Sequence, residues 1–227
     1  MGFLDNFKKS APAAAPAPST AQPAPASGGI DLGKQSGKIS LVKGNQVTIE
    51  KTQVITARCT WSSNTDYDLY ALVILKSGEV KVVSTFGSEA QRTPTPNVLN
   101  GAVKHLGDVA RGVKGLAEET IEIRLTDEIE AVIPVAYSAQ SNGTGSFKKY
   151  NVSLGIDNGA GTEVTIDAKN ASNNNQIYTV AIGVIRNTPN GVRIEALEAY
   201  SKPGSELRPN FVNDTLAMDA GSKNLYK

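Results

Sequence analysis

From Ile30 onward, apolar residues fall at every second position in short runs, and Gly, Asn, Asp and Pro separate one run from the next. Such spacing sends alternate side chains to opposite faces of an extended strand and does not build one apolar stripe on a helix. In "ITARCTW" (Ile55 to Trp61), Ala57, Cys59 and Trp61 share one face, and Thr56, Arg58 and Thr60 take the other. "QVTIEK", "EVKVVSTF", "ETIEIRL", "IEAVIPVAY", "YNVSLGI", "TEVTIDA", "IYTVAIGVI" and "VRIEALEAY" also read as strands. "LYALVIL" (Leu69 to Leu75) has no polar face, which predicts a central strand packed on both sides. "NTPNG" (Asn187 to Gly191) lies between two long runs and predicts a hairpin turn. Pro134 has no N–H to donate, so its strand is expected at an edge or with a bulge. Only "NVLNGAVKHL" (Asn97 to Leu106) has helical spacing. About ten strands with little helix predict an all-β fold, a sandwich of two sheets.

The first 29 residues follow another grammar. Between Ala11 and Ala26 every residue is Ala, Pro, Ser, Thr or Gln, with eight alanines and five prolines in sixteen positions. Proline fixes φ and removes donors, and nothing here can form a core, so residues 10–29 are expected to be a disordered linker. Residues 1–9, "MGFLDNFKK", place Phe3, Leu4 and Phe7 on one face of a would-be helical turn, with Lys8 and Lys9 beside them. They form either a frayed end or a short amphipathic peptide that docks on a membrane surface or a protein partner. The sandwich domain is assigned to residues 30–227.

The chain has 227 residues with a formal net charge of +1, and its Lys and Arg are scattered. No basic footprint for a nucleic-acid backbone exists, so no nucleic-acid partner is expected. No apolar run approaches the ~20 residues of a membrane span. Cys59 is the single cysteine, which rules out an internal disulfide and points to a reducing, cytoplasmic compartment. Its place on the Trp61 face marks it as a packing thiol. His105 is the single histidine, so any Ser-His or Cys-His arrangement would have to use it. Gly159-Ala-Gly161 and Gly143-Thr-Gly145 lack the following Lys-Ser/Thr of a phosphate loop and read as turns. The expectation is a protein that is not an enzyme.

The acidic residues leave two readings open. Asp66 and Asp68 stand one residue apart immediately before an apolar strand, and a second stretch carries Asp108, Glu118 and Glu119. Carboxylates so spaced reach one hard cation if two loops converge. The same pattern also serves as the polar turn that a buried strand needs.

Four segments resemble, in order, the TerD-type tellurium-resistance and stress-response family. "LVKGNQVTIEK" (Leu41 to Lys51) is similar to that family's opening L-x-K-G-x-x-V-x-L-x-K. "TW...DYDLYALVIL" resembles its "GW...DFDLDASAFLL", and "GD...EETIEIRL" falls where the family has its acidic second loop. "AIGVIRNTPNGVRIEALEAY" resembles the closing hairpin, and the likeness spans Ile39 to Lys202.

The resemblance implies a cytoplasmic bacterial β-sandwich that binds calcium (Ca2+) and acts in tellurium resistance and general stress response without an established reaction. It implies the ligands Asp66, Asp68, Asp108, Glu118 and Glu119. It also implies protein partners, namely other Ter-like or assembly proteins, with the tethered peptide at the inner membrane face. The chain departs from the pattern at Tyr70, Val109, Arg111 and Lys114, and two cations beside the cage oppose a divalent ion. Ion pairs from Arg111 or Lys114 to Asp66 or Asp68 are the alternative to calcium. Two other functions stay open, a structural or accessory component of a phage or mobile-element particle with a lost metal site, and a small-molecule or sugar-binding sandwich.

Overall fold

A computed structural model describes residues 29–62, 65–109, 115–139, 146–169 and 174–225. The linker and the peptide bearing Phe3, Leu4, Phe7, Lys8 and Lys9 lie outside the described residues, as do Arg111 and Lys114.

Strands are numbered in chain order. One sheet runs from edge to edge as β1 (Asp31–Lys34), β3 (Gln46–Ile49), β14 (Gly191–Tyr200), β13 (Thr179–Thr188), β10 (Ile129–Tyr137), β5 (Asp68–Leu75) and β6 (Val80–Val83). The other runs as β2 (Lys38–Leu41), β12 (Glu163–Asp167), β11 (Ser153–Asp157), β4 (Ile55–Ser62), β9 (Leu116–Ile123), β8 (Val103–His105) and β7 (Asn97–Val98). Pairing is antiparallel except for β1 with β3 and β12 with β2. The fold is a two-sheet, all-β sandwich, and the short strands omitted by sequence reasoning lie mainly at its edges.

Alternation determines what the sheets enclose. Every second residue of β4 is buried, so Ala57, Cys59 and Trp61 face the interior as their spacing predicts. They meet Ile121 and Ile123 of β9, Leu154 and Ile156 of β11, and the inner row of β5 (Leu69, Ala71, Val73, Leu75). The outer row of β5 (Tyr70, Leu72, Ile74) belongs to a second cluster with Phe86, Ile133, Val135 and Tyr137. Phe211, Leu216 and Met218 cover that cluster. They come from residues 201–225, which include the hairpin of β15 (Asn210–Val212) and β16 (Thr215–Ala217). The unbroken apolar run of β5 therefore reflects this added layer. β5 itself lies one strand from the sheet edge and is not central.

One local expectation needs adjustment, and a second is met through the bulge that was one of its two alternatives. "NVLNGAVKHL" forms β7, a single 3-10 turn at Leu99–Gly101 and β8, which pairs back on β7. Leu99, Asn100 and Gly101 all have positive φ (52°, 54° and 81°), so the chain reverses where the apolar spacing suggested a continuous helix. Pro134 lies inside the sheet between β5 and β13, so the bulge and not the edge is the alternative that holds. The register against β13 shifts between Val132 and Val135, and this bulge accommodates the missing donor. "NTPNG" is the hairpin joining β13 to β14, with Thr188 opposite Gly191.

Candidate functional site

Glu119 is a buried acid on the inward row of β9, between Ala117 and Ile121. A carboxylate in an apolar row requires donors, and Glu119 has three neighbours that supply them. Oε2 accepts the Leu69 N–H at 2.6 Å, Oε1 accepts the Val109 N–H at 3.2 Å, and His105 Nε2 lies 3.4 Å from Oε2.

His105, buried on the inward row of β8, completes the arrangement. Its Nε2 is 2.9 Å from the Leu69 carbonyl oxygen, and its Nδ1 lies 3.1 Å from the Gly107 nitrogen as the acceptor of that N–H. An acceptor Nδ1 together with an Nε2 directed at a carbonyl assigns the neutral Nε2–H tautomer. Both peptide groups of Leu69 are thus held by side chains of the opposite sheet. The reason is geometric. β6 extends along β5 only as far as Ala71, so the next outward-facing peptide edge, that of Leu69, has no strand to bond. Backbone groups left without a ladder need other partners, and Glu119 and His105 provide them.

Around this clamp three acids converge. Asp68, Asp108 and Glu119 each bring a carboxylate oxygen within 4.8 Å of the others, from β5, the segment after β8, and β9. Asp68 and Glu119 are buried and Asp108 is exposed. Burial raises the Glu119 pKa above the ordinary glutamate range. The hydrogen bonds from His105 and Leu69 oppose that rise, and the nearby Asp108 carboxyl adds to it. Of the other sequence candidates, Glu118 points outward on the exposed row of β9, where Thr120 Oγ1 lies 3.3 Å from its Oε1. Asp66 is half-buried. Neither belongs to the trio.

Beside the acids, Tyr67 packs on Trp61, Phe147 and Tyr150 at ring separations of 5.9, 5.2 and 6.3 Å. Cys59, opposite Glu119 in register, is fully buried. Burial first, and then the Glu119 and Glu118 charges, push its pKa up and keep it a thiol. A buried thiol so held is not a nucleophile.

The trio fits a hard cation in donor chemistry, because all three ligands are carboxylates. In number it offers three groups where calcium takes six to eight oxygens, and both Glu119 oxygens already accept N–H groups. Tyr70 belongs to the outer cluster, and Val109 contributes an N–H, not an oxygen. His105 as a structural clamp was missed from sequence, although Val103 and His105 share the inward row of β8. The same alternation separates Glu119 from Glu118.

No helix among the described residues is long and apolar enough to cross a membrane. Compared with known protein families and with curated proteins, the chain matches none.

Proposed function

We propose that the chain is a non-enzymatic β-sandwich scaffold of the tellurium-resistance and stress-response kind, with its acidic end as a calcium-responsive element. The observation behind this reading is the convergence of Asp68, Asp108 and Glu119 from three separate stretches, all at positions where the family likeness puts ligands. Asp68 and Asp108 would hold the ion with Glu119 behind them, and water would complete the shell. With so few protein oxygens, calcium is held in roughly the millimolar range. The bound ion would supply charge neutralisation among the three acids and so tie Asp108 to β5.

The scaffold reading assigns residues 1–29 the role of a tether to a membrane surface or assembly of protein partners. Deletion of the gene in its own host, with growth scored on graded tellurite, tests the physiological part. Sensitivity restored by the full gene is expected, and unchanged growth would overturn the reading. Removing residues 1–29 should abolish co-sedimentation with anionic vesicles or with the assembly, and retained co-sedimentation would remove the tether from the proposal.

A further inference from the structure

Arg208 fastens the C-terminal layer to the first sheet. It is 6% exposed. Its Nε donates to Asn224 Oδ1 at 2.6 Å, and Nη2 faces Ser84 Oγ at 3.4 Å and the Phe86 and Gly87 carbonyl oxygens at 3.1 Å each. The guanidinium carbon lies 5.2 Å from the Tyr70 ring centre and 5.1 Å from that of Phe86. Among the described residues, Nη1 donates to nothing. No carboxylate among them is within ion-pair distance of the guanidinium. Burial lowers the arginine pKa from its ordinary value, but a guanidinium stays charged at neutral pH.

The same side chain lines a cavity of about 200 Å³ between the C-terminal layer and the edge strand β6. Leu72, Val80 and Val82 give the cavity an apolar wall, and Ser88, Gln91 and Asn210 give it polar edges. A small hollow with one apolar wall and an oriented polar anchor has the general form of a ligand site. Three features make the anchor effective. The cation is fixed by four acceptors and two rings, and among the described residues no carboxylate pairs with it and one nitrogen remains to donate.

We propose that this cavity binds a small monocarboxylate with a short apolar tail. The carboxylate takes charge-assisted hydrogen bonds from Arg208 Nη1, and the tail lies against Leu72, Val80 and Val82. The volume is below the ~300 to 1,000 Å³ of pockets for drug-sized ligands, which limits the tail to a few carbons. Because the C-terminal layer already fixes the guanidinium, little side-chain freedom is lost on binding. The site is built from the outer cluster and does not rest on the acidic trio.

Calorimetric titration of the full chain with sodium butyrate tests the assignment, with sodium chloride at equal ionic strength and butyramide as controls. Saturable binding is expected for butyrate alone. Ala90→Trp, at an exposed position on the cavity lining, should weaken it roughly tenfold or more while leaving the fold intact. Arg208→Lys, checked for folding by circular dichroism, keeps a charge but loses the fork and should weaken binding by roughly tenfold. Butyrate heats no larger than those of chloride would overturn the proposal. So would equal binding of butyramide, or full-strength butyrate binding by Ala90→Trp.

Discussion

At one end of the sandwich, connections of two to five residues join β5 to β6, β9 to β10, β11 to β12 and β13 to β14. At the other lie residues 106–109, 146–152 and 174–178, together with the acidic trio and its aromatic neighbours. The short turns combine bonds within the turn with a few to neighbouring strand ends. Asn158 Oδ1 accepts the Ala160 and Thr162 N–H groups at 2.9 and 3.0 Å, and its Nδ2 donates to the Glu50 carbonyl at 3.3 Å. Gly191, at φ 136°, sits where a Cβ would stand 2.4 Å from the Ile49 carbonyl oxygen. At the long-loop end the decisive bonds cross between sheets, from Glu119 and His105 to the Leu69 peptide. Local turns fix which strands pair. The cross-sheet clamp couples the two sheets, so a change at that end is transmitted to both.

The largest expected effect breaks this clamp. Glu119→Leu would leave the Leu69 and Val109 N–H groups without their acceptor, at a cost of about 3 to 5 kcal/mol. Glu119→Gln keeps one acceptor and should cost less. Urea unfolding of both variants measures the difference, and a loss below about 1 kcal/mol for Glu119→Leu would mean that the two ends are held alike. At the turn end, Gly191→Ala meets both the backbone contact and an unfavourable φ, and should cost about 2 to 3 kcal/mol. Asn158→Ala should cost about 2 kcal/mol by stranding two amides. If either turn variant exceeds Glu119→Leu, the ordering fails.

A smaller effect sharpens the comparison within the interior. Cys59→Ala removes one buried sulfur beside Trp61 and should cost roughly 1 to 2 kcal/mol. A thiol reagent should modify native Cys59 no faster than the protein unfolds, and rapid labelling of the native state would contradict its position in the inward row.

The turn end was more legible in the sequence than the loop end, for physical reasons. Period-two spacing reports a strand with one wet face, which describes β4, β11 and β12 well. The Pro-Asn-Gly hairpin is announced by its own residue types. In contrast, the reversal at Leu99–Gly101 was hidden because Leu99, Ala102, Val103 and Leu106 also fit a helical stripe. The C-terminal layer was hidden because Phe211, Leu216 and Met218 lie among polar residues with no period, so only the dry outer face of β5 hinted at a cover. Spacing alone named five acids. Which of them meet depends on where two segments distant in sequence converge, and the alternation of β9 explains why Glu119 enters and Glu118 stays out.

The smallest predicted effect concerns what the long-loop end does with its charges. A hard cation shared by Asp68, Asp108 and Glu119 would bind the folded chain and not the unfolded one, so it must stabilise by linkage. At about ten times the dissociation constant that amounts to roughly 1.4 kcal/mol, or a rise of about 3 to 6 °C in melting temperature for a domain of this size. Asp108→Asn is the cleanest probe, because the side chain is exposed and its loss should change the calcium-free stability by only about 0.5 kcal/mol. The expected pattern is a calcium-dependent rise in the wild type, reversed by a chelator and absent in Asp108→Asn, with the turn-end variant Asn158→Ala retaining it in full. Magnesium should do less, because its smaller shell demands a regular octahedron that three fixed carboxylates do not supply. If calcium leaves the wild-type melting temperature unchanged, the acids are neutralised within the protein itself, and the long-loop end is a structural clamp with no cation to sense.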